Sequence, residues 1–259
     1  MQTKIRDGVS LAFRDNGSSE SALVLIHGWG CDSTTLRKQE EFFSKSRRVV
    51  SVDLRGHGES SAPEQTYSVE QFADDVAWLC QELGISKATL IGHSMGGSVA
   101  IETAYRRPQL VLAVGLIDTV FQAPPELFVS LAPFLPGLQG QDYRSAYHGN
   151  MLALSLPSDG RELEFALHSL PRAPQHVLLS ALHEHLEVHD FAQAAASCSV
   201  PVACIGASLP LADLVRLKQL IPNISVGKTL GSGHFAPWIV PDQVNMMLLR
   251  FLELSLDAR

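Results

Sequence analysis

The sequence predicts an α/β fold, with a mostly parallel, doubly wound sheet and a helical lid inserted over the ends of its strands. Three observations lead there. Short, continuous apolar runs recur between residues 22 and 117, as expected of strands buried on both faces. Helical spacing follows several of them, and strands that alternate with helices imply parallel pairing. After residue 121 the strand signal stops, prolines accumulate, and the pattern resumes only at residue 201.

Two short strands open the chain near Thr3–Arg6 and Ser10–Arg14, joined by the turn dipeptide Asp7-Gly8. Ala22-Leu-Val-Leu-Ile26 is the first buried strand and runs into His27-Gly28-Trp29-Gly30. Val49-Val50-Ser51-Val52-Asp53 is the second and runs into Leu54-Arg55-Gly56-His57-Gly58. Tyr67–Leu83 reads as an amphipathic helix. Ser68 can cap its N-terminus, Glu70-Gln71 fall near its first turn, and Gly84 stops it. Ala88-Thr-Leu-Ile91 is the next strand. It ends in Gly92-His93-Ser94-Met95-Gly96 and continues into a helix with Val99, Ala100, Ile101 and Ala104 at helical spacing. Leu110–Ile117 is a further apolar run, ending at Asp118.

Residues 122–192 carry no strand signal. Pro124, Pro125, Pro133, Pro136, Pro157, Pro171 and Pro174 break them into short helices, read as the lid. The sheet pattern returns at Pro201-Val-Ala-Cys-Ile205 and at Ile224–Leu230, and an apolar helix from Trp238 to about Leu254 closes the chain. The expected organisation is therefore one core in two parts, 1–121 and 193–259, with the lid at 122–192.

A chain of 259 residues buries a full core without staples. Its apolar and charged fractions, 46% and 18%, fit a globular protein. A net charge of −7 with no basic cluster argues against a nucleic-acid partner. The pairs Arg47-Arg48 and Arg106-Arg107 read as solvated charges at element ends. No apolar run reaches membrane-spanning length, so no membrane partner is expected. Four dispersed cysteines without a C-x-x-C read as reduced thiols, and with no apolar leader at the N-terminus a cytoplasmic location is the expectation.

The segment around Ser94 is a G-x-S-x-G nucleophile elbow in the context that motif requires, with a strand before it and a helix after it. A serine on a sharp strand-to-helix turn presents its hydroxyl at the tip of the sheet. Glycines two residues to either side let the backbone pass without a Cβ clash. The helix N-terminus behind it favours negative charge. In a doubly wound sheet ligands bind at the carboxyl ends of the strands. His27 to Gly30, Ser94 and Asp118 all fall at such ends.

Four features stand in order: His27-Gly28-Trp29-Gly30, Asp53-Leu-Arg-Gly-His-Gly-Glu-Ser60, Gly92-His-Ser-Met-Gly96, and Gly231-Ser-Gly-His-Phe235. This set resembles the α/β-hydrolase fold superfamily over almost the whole chain except the lid. The resemblance implies Ser94 as nucleophile and His234 as general base. It implies the backbone N–H groups of Trp29 and Met95 as oxyanion hole. A neutral hydroxyl needs an imidazole to take its proton, and a developing oxyanion needs preorganised donors. Many relatives place the triad acid in a Gly-x-x-Asp-Pro-like turn. Here that turn reads Gly206-Ala207-Ser208-Leu209-Pro210, without the aspartate. The other position used in the superfamily is the end of the strand after the nucleophile helix, where this chain has Asp118. Asp118 is favoured, with Asp213 as the alternative.

His27 and His93 are expected to orient the backbone beside the site. Asp53 is expected to pair with Arg55 or with local N–H groups. His183-Glu-His-Leu-Glu-Val-His189 lacks H-E-x-x-H spacing and is read as a solvated or lid feature, so no metal and no cofactor are expected. Trp29 brings an indole to the pocket wall, and Phe121, Phe128 and Phe134 are candidates to line it. Together these suggest a small apolar or aromatic substrate. An exposed apolar lid could support a homodimer.

The leading expectation is a serine hydrolase cleaving a small carboxylic ester, thioester or lactone through an acyl-enzyme on Ser94. The runner-up draws on a further resemblance, to the cofactor-free dioxygenases that open 3-hydroxy-4-oxoquinoline rings. They share a Gly-Trp like Gly28-Trp29 and an acid placed like Asp118, and a His234/Asp118 base would deprotonate the substrate. A third class, a non-catalytic ligand receptor, is opposed by the intact Ser94/His234 pair. Dehalogenase and epoxide hydrolase chemistry is disfavoured because position 94 is serine rather than a carboxylate.

Overall fold

The structure is a computed structural model and describes residues 1–121, 129, 132–168 and 170–256. Among these, eight strands form one sheet in the order β1-β2-β4-β3-β5-β6-β7-β8. They are β1 (Gln2–Arg6), β2 (Val9–Asn16), β3 (Ser21–Ile26), β4 (Val49–Val52), β5 (Lys87–His93), β6 (Val111–Ile117), β7 (Val202–Gly206) and β8 (Ser225–Lys228). From β3 onward every pairing is parallel, while β1–β2 and β2–β4 are antiparallel. Asp7 and Gly8 both take positive φ, 50° and 81°, the pair of values a two-residue hairpin turn demands.

The apolar runs are buried on both faces because helices cover both. One face packs against α2 (Val69–Glu82) and α3 (Met95–Arg106), with Phe72, Val76, Val99 and Leu90 in a common core. The other packs against α1 (Arg37–Phe43) and α11 (Pro241–Leu256) through Phe43, Leu25, Val244 and Leu248. Ser68 caps α2 as its position suggests, accepting from the Gln71 N–H at 3.2 Å. Helix α1 was not anticipated. Its sequence, Arg-Lys-Gln-Glu-Glu-Phe-Phe, offers too little apolar periodicity to be seen without the sheet beneath it.

Between β6 and β7 the described residues form α4 (Leu135–Leu138), α5 (Tyr143–Ala153), α6 (Gly160–His168), α7 (Gln175–His183) and α8 (Phe191–Ala196). One turn of π-helix, Glu184–Val188, follows α7. After β7 come α9 (Leu214–Leu220), then β8, then α10 (Ala236–Ile239) and α11.

Two readings of the sequence need correction. The closing helix is broken into α10 and α11, because Pro241 cannot follow a residue in the α region and Val240 sits at φ −127°, ψ 56°. Arg48 is buried rather than solvated, paired with Asp15 at 2.9 and 2.6 Å. Arg106 and Arg107 both pair with Asp74 on α2.

The order β4-β3-β5-β6 places the reversal of winding between β3 and β5. A crevice opens at such a reversal, and the loop after β3 and the turn after β5 flank it.

Candidate active site

Ser94 sits where β5 stops and α3 begins, at φ 55° and ψ −124°. Such a conformation costs a residue with a side chain roughly 1–3 kcal/mol, so the surroundings must impose it. They do. The Ser94 N–H donates to the Ile117 carbonyl at 3.0 Å, and its own carbonyl accepts from the Gly97 N–H at 2.9 Å. A Cβ at Gly92 would enter the backbone of Gly96 and Gly97, and one at Gly96 would strike the carbonyls of Ile26 and His27. The turn can be this tight only with glycine at both positions.

His234 lies in the loop between β8 and α10. Its N–H donates to the Leu154 carbonyl at 3.0 Å, which ties the loop to the end of α5. Its ring Nδ1 is 2.7 Å from Asp118 Oδ2. Asp118 follows β6 directly and is itself held in the left-handed region, φ 41°. Its second oxygen, Oδ1, accepts the backbone N–H groups of Ala207 at 3.0 Å and Leu211 at 3.3 Å. Both side chains are almost fully buried. A carboxylate only accepts, so Nδ1 carries the proton and Nε2 keeps its lone pair. Asp213 is elsewhere, capping α9 through the N–H groups of Val215 and Arg216.

Ser94 and His234 open onto one cavity of about 40 Å³, room for a few waters. The loop after β3 forms its opposite wall. The Trp29 indole donates to the Leu178 carbonyl at 2.8 Å, and its ring packs against Tyr147 with centroids 4.9 Å apart. The Tyr147 hydroxyl donates to the Trp29 carbonyl at 2.9 Å. Among the described residues the Trp29 N–H has no backbone acceptor. Met95 is the first residue of α3, where an N–H has no partner within the helix. Among the described residues both N–H groups are thus free, one in the loop after β3 and one next to Ser94 at the start of α3.

His27 and His93 act on the backbone, as expected. His27 Nε2 accepts from the Leu54 N–H at 3.0 Å, so its Nδ1–H, 2.8 Å from the Gly28 carbonyl, is the donor. His93 Nε2 donates to the His234 carbonyl at 2.9 Å. Burial pushes the pKa of both rings down, that of His93 to about 3, so each stays neutral. Asp53 accepts the N–H groups of Ser33 and Glu59 at 2.8 and 2.9 Å, whereas Arg55 pairs with Asp75.

The three phenylalanines fall differently. Phe121 is fully buried against Phe191, with centroids 4.3 Å apart, and does not line the cavity. Phe134 packs toward Gly149 on α5 and is likewise absent from the cavity wall. Phe128 lies outside the described residues. The wall is made instead by Trp29, Val120, Met151, Leu154, Leu182 and Leu186, with Asn150 and His185 among them. Asn150 was not singled out, because one polar residue in a segment without strand signal and broken by prolines on either side carries no sequence signal. His185 bonds Ser98 at 2.9 Å, and His189 bonds Glu70 at 2.9 Å. Among the described residues no cluster of His, Cys, Asp and Glu is placed to hold a metal ion. No helix among them is long and apolar enough to cross a membrane.

Comparison with known proteins agrees with this geometry. The chain is 40% identical over 111 residues to an uncharacterized protein of Mycobacterium tuberculosis, 43% of this chain and 32% of that one. It is 33% identical over 126 residues to the bifunctional esterase/perhydrolase DCH of Acinetobacter calcoaceticus, 48% of this chain and 45% of that one. The aligned part spans about a third of the first of these relatives and under half of the second. Among solved structures, a thermophilic esterase from Thermogutta terrifontis superposes with a TM-score of 0.82 at 25% identity, covering 98% of this chain and 97% of that one. The enol-lactonase from Burkholderia xenovorans LB400 gives 0.84 at 24% identity, over 97% and 99%, a likeness of fold. Residues 21–155 match the family described as alpha/beta hydrolase fold, and this chain belongs to that family.

Proposed function

We propose that the protein is a serine hydrolase that cleaves a small carboxylic ester, thioester or lactone through an acyl-enzyme on Ser94. The observation that carries this is the hydrogen bond of 2.7 Å between Asp118 Oδ2 and His234 Nδ1, on a histidine that shares a cavity with a serine held on a strained turn. In this reading Ser94 Oγ attacks the substrate carbonyl and gives its proton to His234 Nε2. Asp118 stabilises the imidazolium and holds its tautomer without taking the proton. The oxyanion forms against the N–H groups of Trp29 and Met95, where one lost donor typically costs ~10²–10³ in rate. His234 then protonates the leaving group and activates the water that releases the acid.

The likeness to esterases supports hydrolysis over ring-opening dioxygenation. The dioxygenase reading uses the same His234–Asp118 pair, with Ser94 orienting the substrate instead of attacking it. A cytoplasmic setting accords with four free cysteines, which a reducing compartment maintains.

Short p-nitrophenyl esters test the reading with wild type and Ser94→Ala side by side. Turnover that disappears in Ser94→Ala is the expected result. Turnover that survives the substitution, or none in wild type, refutes an acyl-enzyme on Ser94, and oxygen uptake with a hydroxyquinolone then becomes the assay.

A further inference from the structure

Helix α5 presents Tyr147, Asn150, Met151 and, just past its end, Leu154 at the spacing that brings residues onto one helix face. Tyr147 fixes this face to the loop after β3 through its bond to the Trp29 carbonyl. Asn150, Met151 and Leu154 then wall the cavity that holds Ser94 and His234. Asn150 is 1% exposed, and among the described residues neither its carboxamide oxygen nor its nitrogen has a hydrogen-bond partner. Buried polar groups almost always find partners, and each one left open is costly. Here a donor and an acceptor stand together, unsatisfied, beside Met151, Leu154, Leu182 and Leu186.

The rest of the wall narrows what can complete them. His185 is already engaged by Ser98 at 2.9 Å, and burial pushes its pKa down to about 3, so it is uncharged at neutral pH. No Lys, Arg, Asp or Glu is among the described residues of the wall. A substrate carboxylate entering it would lose its water and meet no cation.

We propose that Asn150 is the specificity-determining residue of this site, and that it reads a neutral hydroxyl group on the acyl portion of the substrate. The proposal rests on the hydrolase reading of Ser94. The acyl portion is assigned because it is the part that stays bonded to Ser94 in the acyl-enzyme, and Asn150 walls the cavity onto which Ser94 opens. The donor and acceptor of one carboxamide can both be used by a hydroxyl, which also has both functions.

The test compares p-nitrophenyl butyrate, 3-hydroxybutyrate and hemisuccinate, each rate normalised to hydrolysis by hydroxide. Wild type, Asn150→Leu and Asn150→Ala are assayed for kcat/KM. Wild type is expected to favour the 3-hydroxybutyrate over the butyrate by about tenfold, the effect of a neutral hydrogen bond to a buried group. Both variants should bring that ratio to one or below, and the hemisuccinate should be slowest throughout. A wild type indifferent to the hydroxyl overturns the proposal, as does a ratio unchanged in either variant. The Kd values of the same esters are measured by calorimetry in Ser94→Ala, alone and combined with Asn150→Leu. If wild type turns over none of the esters, the hydrolase reading fails, and this binding ratio decides Asn150 by itself. Tighter binding of the hydroxy ester that is lost in the double variant supports the proposal. Equal Kd values refute it.

Discussion

Asp118→Asn is the substitution that separates the role of the acid from its structural setting. Asp118 is buried, and its Oδ1 accepts the N–H groups of Ala207 and Leu211 at 3.0 and 3.3 Å. An asparagine can keep both bonds with its amide oxygen. Its Nδ2 then occupies the place of Oδ2, 2.7 Å from His234 Nδ1. An amide nitrogen donates, so Nδ1 must accept, and the imidazole proton moves to Nε2. In that tautomer His234 has no lone pair toward Ser94 and cannot receive its proton. The same change in another serine hydrolase lowers kcat by about 10⁴, roughly 5.5 kcal/mol of barrier. A loss of about that size is expected here, with KM little changed and the melting temperature within a few degrees of wild type. The control is Asp213→Asn, which exchanges one good helix cap for another and should leave both rate and stability alone. The assay is kcat on a short p-nitrophenyl ester, with thermal melts of all three proteins. Activity of Asp118→Asn within tenfold of wild type would refute the reasoning, and so would a large loss in Asp213→Asn.

Four further outcomes are expected. Gly92→Ala should destabilise the fold by about 3 kcal/mol in thermal unfolding, because the new methyl enters the backbone of Gly96 and Gly97 rather than a side chain that could move. Tyr147→Phe removes the donor to the Trp29 carbonyl and should cost about 1–3 kcal/mol of stability together with a several-fold fall in kcat, measured by melts and steady-state kinetics. His57, His93 and His185 are each pushed down to about 3 by burial, against 6.5 when exposed. Between those values the unfolded chain binds protons that the folded one refuses. Stability should therefore fall as pH drops from about 6.5 toward 3, with no contribution from these groups above 6.5, and a melting temperature equal at pH 7 and pH 5 would contradict this. The thiols of Cys31, Cys80 and Cys204 are pushed up to about 12 by burial, so a disulfide reagent at pH 8 should leave them unmodified until the protein is denatured.

Much of the fold was legible in the sequence because it is written in short-range terms. Strands buried on both faces need largely apolar runs, and Ala22–Ile26 and Val49–Val52, with Ser51 its one polar residue, supply them. The Ser68 cap and the Asp7-Gly8 turn each depend on residues a few positions apart. The turn at Ser94 could be read for the same reason. The proximity of Asp118 to His234 was harder, since they are 116 residues apart and only the missing aspartate at Leu209 hinted at it. The lining of the cavity was not legible. Phe121 and Phe134 had the right chemistry, but Phe121 turns to Phe191 and Phe134 to Gly149. Asn150 reaches the cavity because Tyr147, one turn earlier, anchors α5 to the Trp29 carbonyl, and Leu154, one turn later, accepts the His234 N–H. Such a placement follows from how helices dock, which no local pattern encodes.

The support that Asp118 draws from the loop after β7 consists of two main-chain N–H groups and no side chain. Any residue except proline can supply an N–H, so what the carboxylate asks of positions 207 and 211 is their spacing, while the burial of Ala207 limits its size for a separate reason. The exposed Leu209 between them marks a position whose letter can drift while the length of the stretch cannot. A library randomised at Leu209 should retain most of its activity, whereas deletion of that residue should withdraw a donor from the carboxylate and abolish it. With Asp118 as the proposed acid, the turn at Gly206–Pro210 serves as a ruler rather than a reagent.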